Sequence, residues 1–184
     1  MAHVLLGISG GIAAYKAADL TSQLVKAGHE VRVIMTPSAT RFVGPLTFEA
    51  MSAHPVMTDA LAQAGTGSTS AVEHIEWAKW ADIAVVAPAT ANTVARMAHG
   101  FADEAVSTVL LALPSHVPVL VCPAMNTQMW NHPFVAENIA RLEALPNVTI
   151  EAPSSKRLAC GDVGVGGLAE VPDIVATIAR LLHR

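Results

Sequence analysis

Val117-Pro118-Val119-Leu120-Val121-Cys122-Pro123-Ala124-Met125-Asn126-Thr127-Gln128-Met129-Trp130 is the stretch on which the fold of this chain turns. Its first six residues, Val117 to Cys122, form an apolar run with the length and β-branched content of a buried strand. An asparagine follows four residues after the run ends. In an open α/β sheet the carboxyl end of a strand is where ligands bind. Asn126 offers two N–H donors and one acceptor, which suits a carboxylate or an amide, and the same side chain can cap the next helix.

Outward from this stretch, apolar runs alternate with helical segments. His3 to Ile8, Glu30 to Met35, Ile83 to Ala87 and Val148 to Ile150 read as further strands. Helices are predicted over Ile12 to Ala27 (ended by Gly28), Pro37 to Phe42, Leu46 to Ala53, Ala91 to Ala98, Phe134 to Leu145 and Pro172 to Leu182. Ser70-Ala71-Val72-Glu73 has the spacing of a capping box, so a helix should start there and run through Trp80. Asp103 is placed to cap another, through Leu113. Gln63 to Ser70 and Pro153 to Gly167 read as irregular. Continuous apolar strands alternating with helices predict a three-layer α/β fold, Rossmann-like or flavodoxin-like, with a parallel sheet covered on both faces. No composition shift or internal repeat divides the chain, so one domain over residues 1–184 is expected.

Composition narrows the function. Apolar residues make up 52% and charged residues 14%, well short of the usual quarter. A chain with so little charge leaves apolar surface to cover, which predicts a homo-oligomer. The net charge is −4 and no basic run occurs, which excludes nucleic acid as a partner. The longest apolar stretch, Val106 to Val121, is broken by Pro114, His116 and Pro118 and does not suit a membrane span. Met1-Ala2-His3 leads straight into a strand without a signal-peptide pattern. Two cysteines, Cys122 and Cys160, make no disulfide framework, and a cytoplasmic location is expected.

Gly7-Ile8-Ser9-Gly10-Gly11-Ile12-Ala13-Ala14-Tyr15-Lys16 joins the first strand to the first helix. Small residues let a ligand approach the backbone, and the helix N-terminus offers N–H groups to a phosphate. The segment formally fits G-x-S-x-G, but nothing upstream of a first strand supplies an oxyanion loop. It lacks both the G-x-G-x-x-G spacing and the Gly-Lys-Ser/Thr of a P-loop. With no second Gly-rich turn, a mononucleotide fits better than a dinucleotide. Pro88-Ala89-Thr90-Ala91-Asn92-Thr93 repeats the pattern after the Ile83–Ala87 strand. Thr90 or Asn92 alone would make an ordinary N-cap. Together with the first turn and Ser38, the segment reads as the second wall of one site.

His74 lies near the start of its helix, where the dipole disfavours imidazolium and a neutral ring can act as a base. His74-Ile75-Glu76 matches the H-x-E of zinc deaminases, but the P-C-x-x-C that must accompany it is missing, so no metal is expected. In Leu158-Ala159-Cys160-Gly161-Asp162 a thiol stands in a short Gly-containing stretch beside Lys156 and Arg157, which favour the thiolate or hold an anion. Cys122, by contrast, reads as a small buried residue.

The ordered set Ser9-Gly10-Gly11, His74, Ala89-Thr90-Ala91-Asn92, Pro123 to Trp130 and Leu158 to Asp162 resembles the homo-oligomeric flavin-containing cysteine decarboxylases, over about residues 3 to 175. The resemblance implies FMN held between subunits of a trimer, which often assembles further into a dodecamer. It places the cofactor against Ser9, Gly10, Gly11, Ile12, Ser38, Ala89, Thr90, Ala91, Asn92 and Ala124. It makes His74 the essential histidine and Asn126 the carboxylate-binding residue. Arg157, Leu158 and Ala159 become part of a clamp over the substrate, with Cys160 as its reactive thiol. The implied reaction is decarboxylation of a cysteine carboxylate. Phosphopantothenoylcysteine, giving phosphopantetheine for coenzyme A, is the first candidate. The alternatives are the C-terminal cysteine of a peptide, left as an enethiol, and a flavin-binding subunit that regulates a phosphatase. Oxidation of the substrate thiol to a thioaldehyde creates the electron sink that CO₂ loss requires. An enethiolate follows, and Cys160 supplies the proton when it is reduced. Gly167-Leu168 departs from the family, many of whose bacterial members carry Arg-Met there.

Overall fold

The computed structural model describes residues 1–60, 73–157 and 163–183. Five strands, β1 (His3–Ile8), β2 (Glu30–Met35), β3 (Ile83–Ala89), β4 (Val119–Pro123) and β5 (Val148–Ile150), form a parallel sheet in the order β2-β1-β3-β4-β5. The helices are α1 (Ala14–Lys26), α2 (Pro45–Ser52), α3 (Glu73–Trp80), α4 (Ala91–His99), α5 (Ala105–Leu111), α6 (Thr127–Trp130), α7 (Pro133–Glu143) and α8 (Val171–Leu182). The three-layer α/β expectation is met, with the strand order of the flavodoxin-like doubly wound sheets.

Successive strand residues feed opposite cores. Val4, Leu6 and Ile8 of β1 and Val31, Val33 and Met35 of β2 pack with Leu20 and Leu24 of α1, Phe48 of α2 and Ile174 of α8. Leu5, Ile34, Ala84, Val86 and Val121 join Trp77 of α3, Val94 of α4, Val106 of α5 and Leu142 of α7. Both faces are therefore dry along β1, β3 and β4, which show no polar alternation past His3, whereas edge strand β2 alternates Glu30 and Arg32 with the buried Val31 and Val33. Each Leu, Ile or Val buried this way contributes roughly 1.5–3 kcal/mol.

Several boundaries differ from the sequence reading. The Pro37 to Phe42 segment is a single 3₁₀ turn, Ala39–Arg41. β3 runs two residues past Ala87, through a cis Ala87–Pro88 bond, and its pairing with β4 shifts register there. Ser70, Ala71 and Val72 of the predicted capping box lie outside the described residues. Helix α5 is capped by Glu104, not Asp103: the Glu104 carboxylate accepts N–H bonds from Val106 at 3.1 Å and Ser107 at 2.9 Å. Asp103 is drawn instead into an ion pair with Arg96 of α4. Pro153 to Gly167 is not irregular throughout but holds an antiparallel pair, β6 (Ser154–Arg157) and β7 (Val163–Gly167). Its Ser, Lys and Gly residues carry little apolar alternation to mark a strand. The pair is tied at its base by Ser154 Oγ, which donates to the carbonyls of Gly167 (3.3 Å) and Leu168 (3.0 Å). Leu168, at the family departure, is buried in the core beside α8.

Exchanging the two candidate caps tests this correction. Glu104→Ala should cost about 1 kcal/mol in urea unfolding, because two helix N–H groups lose their acceptor. Asp103→Ala should cost less, as a half-exposed ion pair contributes about 0–1 kcal/mol. The reverse ranking would return the cap to Asp103.

Candidate active site

The order β2-β1-β3-β4-β5 sends the chain from β1 to one side and from β3 to the other, so the topological switch point lies between them. Ser9 spans it. Its Oγ donates to the Pro88 carbonyl at 2.7 Å and accepts the Thr90 N–H at 2.8 Å, and its own N–H reaches the same carbonyl at 3.2 Å. The side chain is buried, so these bonds are shielded from water.

The neighbouring turns lock onto this bridge. A Cβ on Gly10 would stand 2.3 Å from Ser38 Oγ and 2.6 Å from the Ser38 carbonyl carbon, so the β1 and β2 turns touch with space only for hydrogen. Ser38 Oγ lies 3.1 Å from Thr36 Oγ1, which accepts the Ala39 N–H at 3.1 Å. On the other side the Ala124 N–H donates to the Ala89 carbonyl at 2.9 Å and joins the β4 turn to the β3 turn. The result is one continuous edge at the carboxyl ends of β2, β1, β3 and β4.

The structure brings together Ser9, Gly10, Gly11, Ser38, Ala89, Thr90 and Ala124 of the expected cofactor set. Ile12 and Asn92 are exposed beside them, with Ala91 half-buried between. Helix α1 has no side-chain cap and no acidic residue in its first turn, so its positive end is left uncompensated from within the helix, as an anion site requires. Thr90 caps α4 through the Thr93 N–H, at 3.4 Å.

Asn126 caps the four-residue helix α6, an element that sequence reasoning missed. Its Oδ1 accepts the Gln128 N–H at 2.8 Å. The cap reading is met: the acceptor end of the amide fixes the side chain at the start of α6. His74 lies in the first turn of α3. The last residue of α3, Trp80, stacks on His3 at the start of β1, with ring centroids 4.7 Å apart. Six residues of rise, about 9 Å, therefore carry His74 toward the carboxyl edge of the sheet. Its Nδ1 is buried and has no hydrogen-bond partner among the described residues. Such an atom in a native fold asks for a partner, be it a water, a ligand, another chain or a residue outside the described ones.

Arg157 ends β6, and only its backbone is described; Leu158, Ala159 and Cys160 lie outside the described residues. Cys122 is fully buried, and burial first, then the nearby Glu151 charge, pushes its thiol well above the ordinary range. It is an inert core residue, as expected. A cleft of about 870 Å³ opens at the opposite, amino edge of the sheet, lined by His29, Asp82, His116, Asn147 and His183 among others. Burial, then the charge of the N-terminus, lowers the His29 pKa. This cleft contains none of the glycine turns, and it lies at the strand ends where α/β sheets do not place their ligands.

Residues 1–183 match the family model described as Flavoprotein. The chain belongs to the Flavoprotein family. It is 46% identical, over 97% of its length and 98% of the relative's, to a probable phosphopantothenoylcysteine decarboxylase of Streptococcus mutans. It is 51% identical to the coenzyme A biosynthesis bifunctional protein CoaBC of Bacillus subtilis, over 94% of this chain but only 41% of that one. This flavoprotein thus spans about two-fifths of the bifunctional relative. A PPC decarboxylase mutant complexed with pantothenoylaminoethenethiol superposes with a TM-score of 0.88 at 33% identity, covering 100% of this chain and 99% of the other.

The Ser9 bridge gives a direct test. Ser9→Ala leaves the Thr90 N–H without its acceptor and the Pro88 carbonyl with the Ser9 backbone N–H alone, a loss of about 1–3 kcal/mol. The expected outcome is a folded protein with a lower melting temperature that loses its yellow colour on gel filtration. Retention of full colour would separate the bridge from flavin binding.

Proposed function

We propose that this flavoprotein is an FMN-dependent carboxy-lyase that converts phosphopantothenoylcysteine to phosphopantetheine in coenzyme A biosynthesis. The observation that carries this reading is the continuous edge Ser38–Gly10–Ser9–Thr90–Ala124, built over the switch point and followed on the next turn by Asn126. The names of the relatives at 46% and 51% identity support the substrate.

The residues present suit FMN. Gly10 lets the β1 and β2 turns close on one another, α1 carries no acidic residue in its own first turn, and Ser9, Ser38 and Thr90 are hydroxyls with no carboxylate among them. Ser9, Gly10, Gly11, Ile12 and Ser38 would hold it from one side, with Ala89, Thr90, Ala91, Asn92 and Ala124 on the other. Bound FMN would supply the two-electron acceptor and donor that a cysteine carboxylate lacks.

The protein's own part is positioning and proton transfer. Asn126 Nδ2 donates to the substrate carboxylate and holds it until CO₂ departs. His74 takes the proton released when the substrate thiol is oxidised. Arg157, Leu158 and Ala159 cover the substrate, and Cys160 delivers a proton to the carbon that CO₂ has left. The net change is one CO₂ lost and one proton gained, with no net oxidation.

Mass spectrometry after incubation with phosphopantothenoylcysteine, and separately with peptides ending in cysteine, tests the reading. Loss of CO₂ alone from the first substrate is expected. Loss of CO₂ and two hydrogens from a peptide would make the chain a peptide-modifying oxidative decarboxylase instead. His74→Asn should keep the flavin and lose turnover by about 10²-fold or more; an active, coloured variant would remove His74 from the mechanism.

We also infer a homo-oligomer, a trimer or a multiple of it. Ile12 (63% exposed), Tyr15 (61%), Phe42 (52%) and Leu46 (74%) are large apolar side chains left in contact with water at the start of α1 and around α2. Light scattering should give the mass of three chains or a multiple; a monomer at micromolar concentration would overturn this. No described helix is long and apolar enough to cross a membrane.

A further inference from the structure

We propose that Gly164 and Gly166 of β7, together with Thr127, are positioning residues for Asn126. β7 buttresses the loop after β4 on both flanks of Asn126 and so sets where its amide points. The inference rests on the reading of Asn126 as the carboxylate-binding residue.

The contacts fall on the residues either side of Asn126. On its amino side, the Met125 N–H donates to the Gly166 carbonyl at 2.8 Å. Gly166 has φ 147°, a conformation L side chains rarely adopt, and a Cβ there would lie 2.2 Å from the Met125 carbonyl oxygen. On its carboxyl side, a Cβ on Gly164 would lie 2.6 Å from Thr127 Oγ1 and 3.1 Å from Thr127 Cγ2. The backbone of β7 is thus pressed against Met125 and Thr127 with no room for a methyl group. Thr127 Oγ1 is buried and makes no hydrogen bond to a described residue, so the side chain acts as a spacer.

This buttress adds to the contacts of Ala124, Met125 and Trp130 that already tie the loop to the sheet and the core. α6 is four residues long and buries none of them, too short to hold its own position. β7, in contrast, is anchored: Ser154 ties it to β6, and Leu168 and Ala169, which follow it, enter the core beside α8. The position of Asn126 is therefore inherited from β7 as well as from β4. A shift of about 1 Å in a substrate-positioning group can cost 10²-fold.

A compensating pair of substitutions tests this in the full-length, FMN-loaded protein. Gly164→Ala should raise KM for phosphopantothenoylcysteine about tenfold or more, with the flavin absorbance spectrum unchanged. Thr127→Ala in the same chain removes both atoms that the new methyl meets, leaving Thr127 Cβ at 3.4 Å, and should bring KM back near the wild-type value. Thr127→Val, which keeps the shape without the hydroxyl, should leave KM unchanged. Melting temperatures are measured alongside, since a merely structural role would lower stability without moving KM. If Gly164→Ala does not fold, the double variant decides: a folded double with wild-type KM supports the buttress. A double no better than the single, or a wild-type KM in Gly164→Ala, overturns it, as does a tenfold rise in KM for Thr127→Val. Asn126→Ala separates the two claims. If it leaves KM unaltered, or if the wild-type protein does not turn over the substrate, the reading of the site and this inference fall together. A raised KM in Asn126→Ala beside a wild-type KM in Gly164→Ala removes the inference alone.

Discussion

The site depends on a single hydroxyl. Where a doubly wound sheet changes direction, the strands either side of the switch point send their chains apart and leave backbone groups facing a gap. Here those groups are one acceptor, the Pro88 carbonyl, and one donor, the Thr90 N–H, and Ser9 Oγ satisfies both. A hydroxyl is the smallest group that donates and accepts at once. With that separation fixed, Gly10 seats on Ser38 and Ala124 bonds to Ala89, so the turns after four strands behave as one rigid surface. Rigid surfaces of this kind let a ligand bind without first ordering the loops that hold it.

On the proposed reading, the same residues that hold the fold also define the chemistry. Thr90 and Asn126 are both helix N-caps, which taken singly is an ordinary structural role. Capping consumes acceptor capacity at a helix start and points the rest of the side chain beyond the helix. On the proposed reading this selects among ligands at Asn126: with Oδ1 accepting from Gln128, the donor end of the amide would match a carboxylate and not an ammonium group. A helix cap at the carboxyl edge of a parallel sheet would then be at once a structural and a recognition element.

Most of the sheet was legible because strands buried on both faces must be apolar throughout, as in Val4 to Ile8 and Val119 to Cys122. The order of those strands was not, since their compositions are alike and only the crossovers distinguish them. The binding turns were visible as small residues directly after strands, but the reason for Gly10 was not: it lies in Ser38, 28 positions away in the sequence. Asp103 reads as the cap of α5 because its neighbour Glu104 is an uncommon cap residue, and the structure gives the cap to Glu104 while Asp103 pairs with Arg96. The β6–β7 pair was hidden because Ser154 to Arg157 and Val163 to Gly167 are joined by backbone bonds, which leave no mark on side-chain pattern. Gly164 and Gly166 belong to the same class. Their importance lies in contacts with Thr127 and Met125, about 40 residues earlier, which no local pattern encodes.

The electrostatic character of the edge follows from the same economy. Ser9, Ser38, Thr90 and Asn126 are neutral, and α1 adds only the partial charge of its first turn. For a decarboxylase this neutrality has a purpose. A carboxylate held in a tight ion pair is stabilised most while its charge is intact, and when CO₂ departs neutral that charge is left on the carbon behind it. Binding energy of that kind lowers the ground state and slows the step it precedes. An asparagine amide holds the same carboxylate by donors of modest strength, orienting it without anchoring its charge. It also avoids the desolvation cost of burying a lysine or arginine. On the proposed reading, then, catalysis depends less on how strongly Asn126 binds than on where it points, which is why the elements that fix its position matter as much as the amide itself.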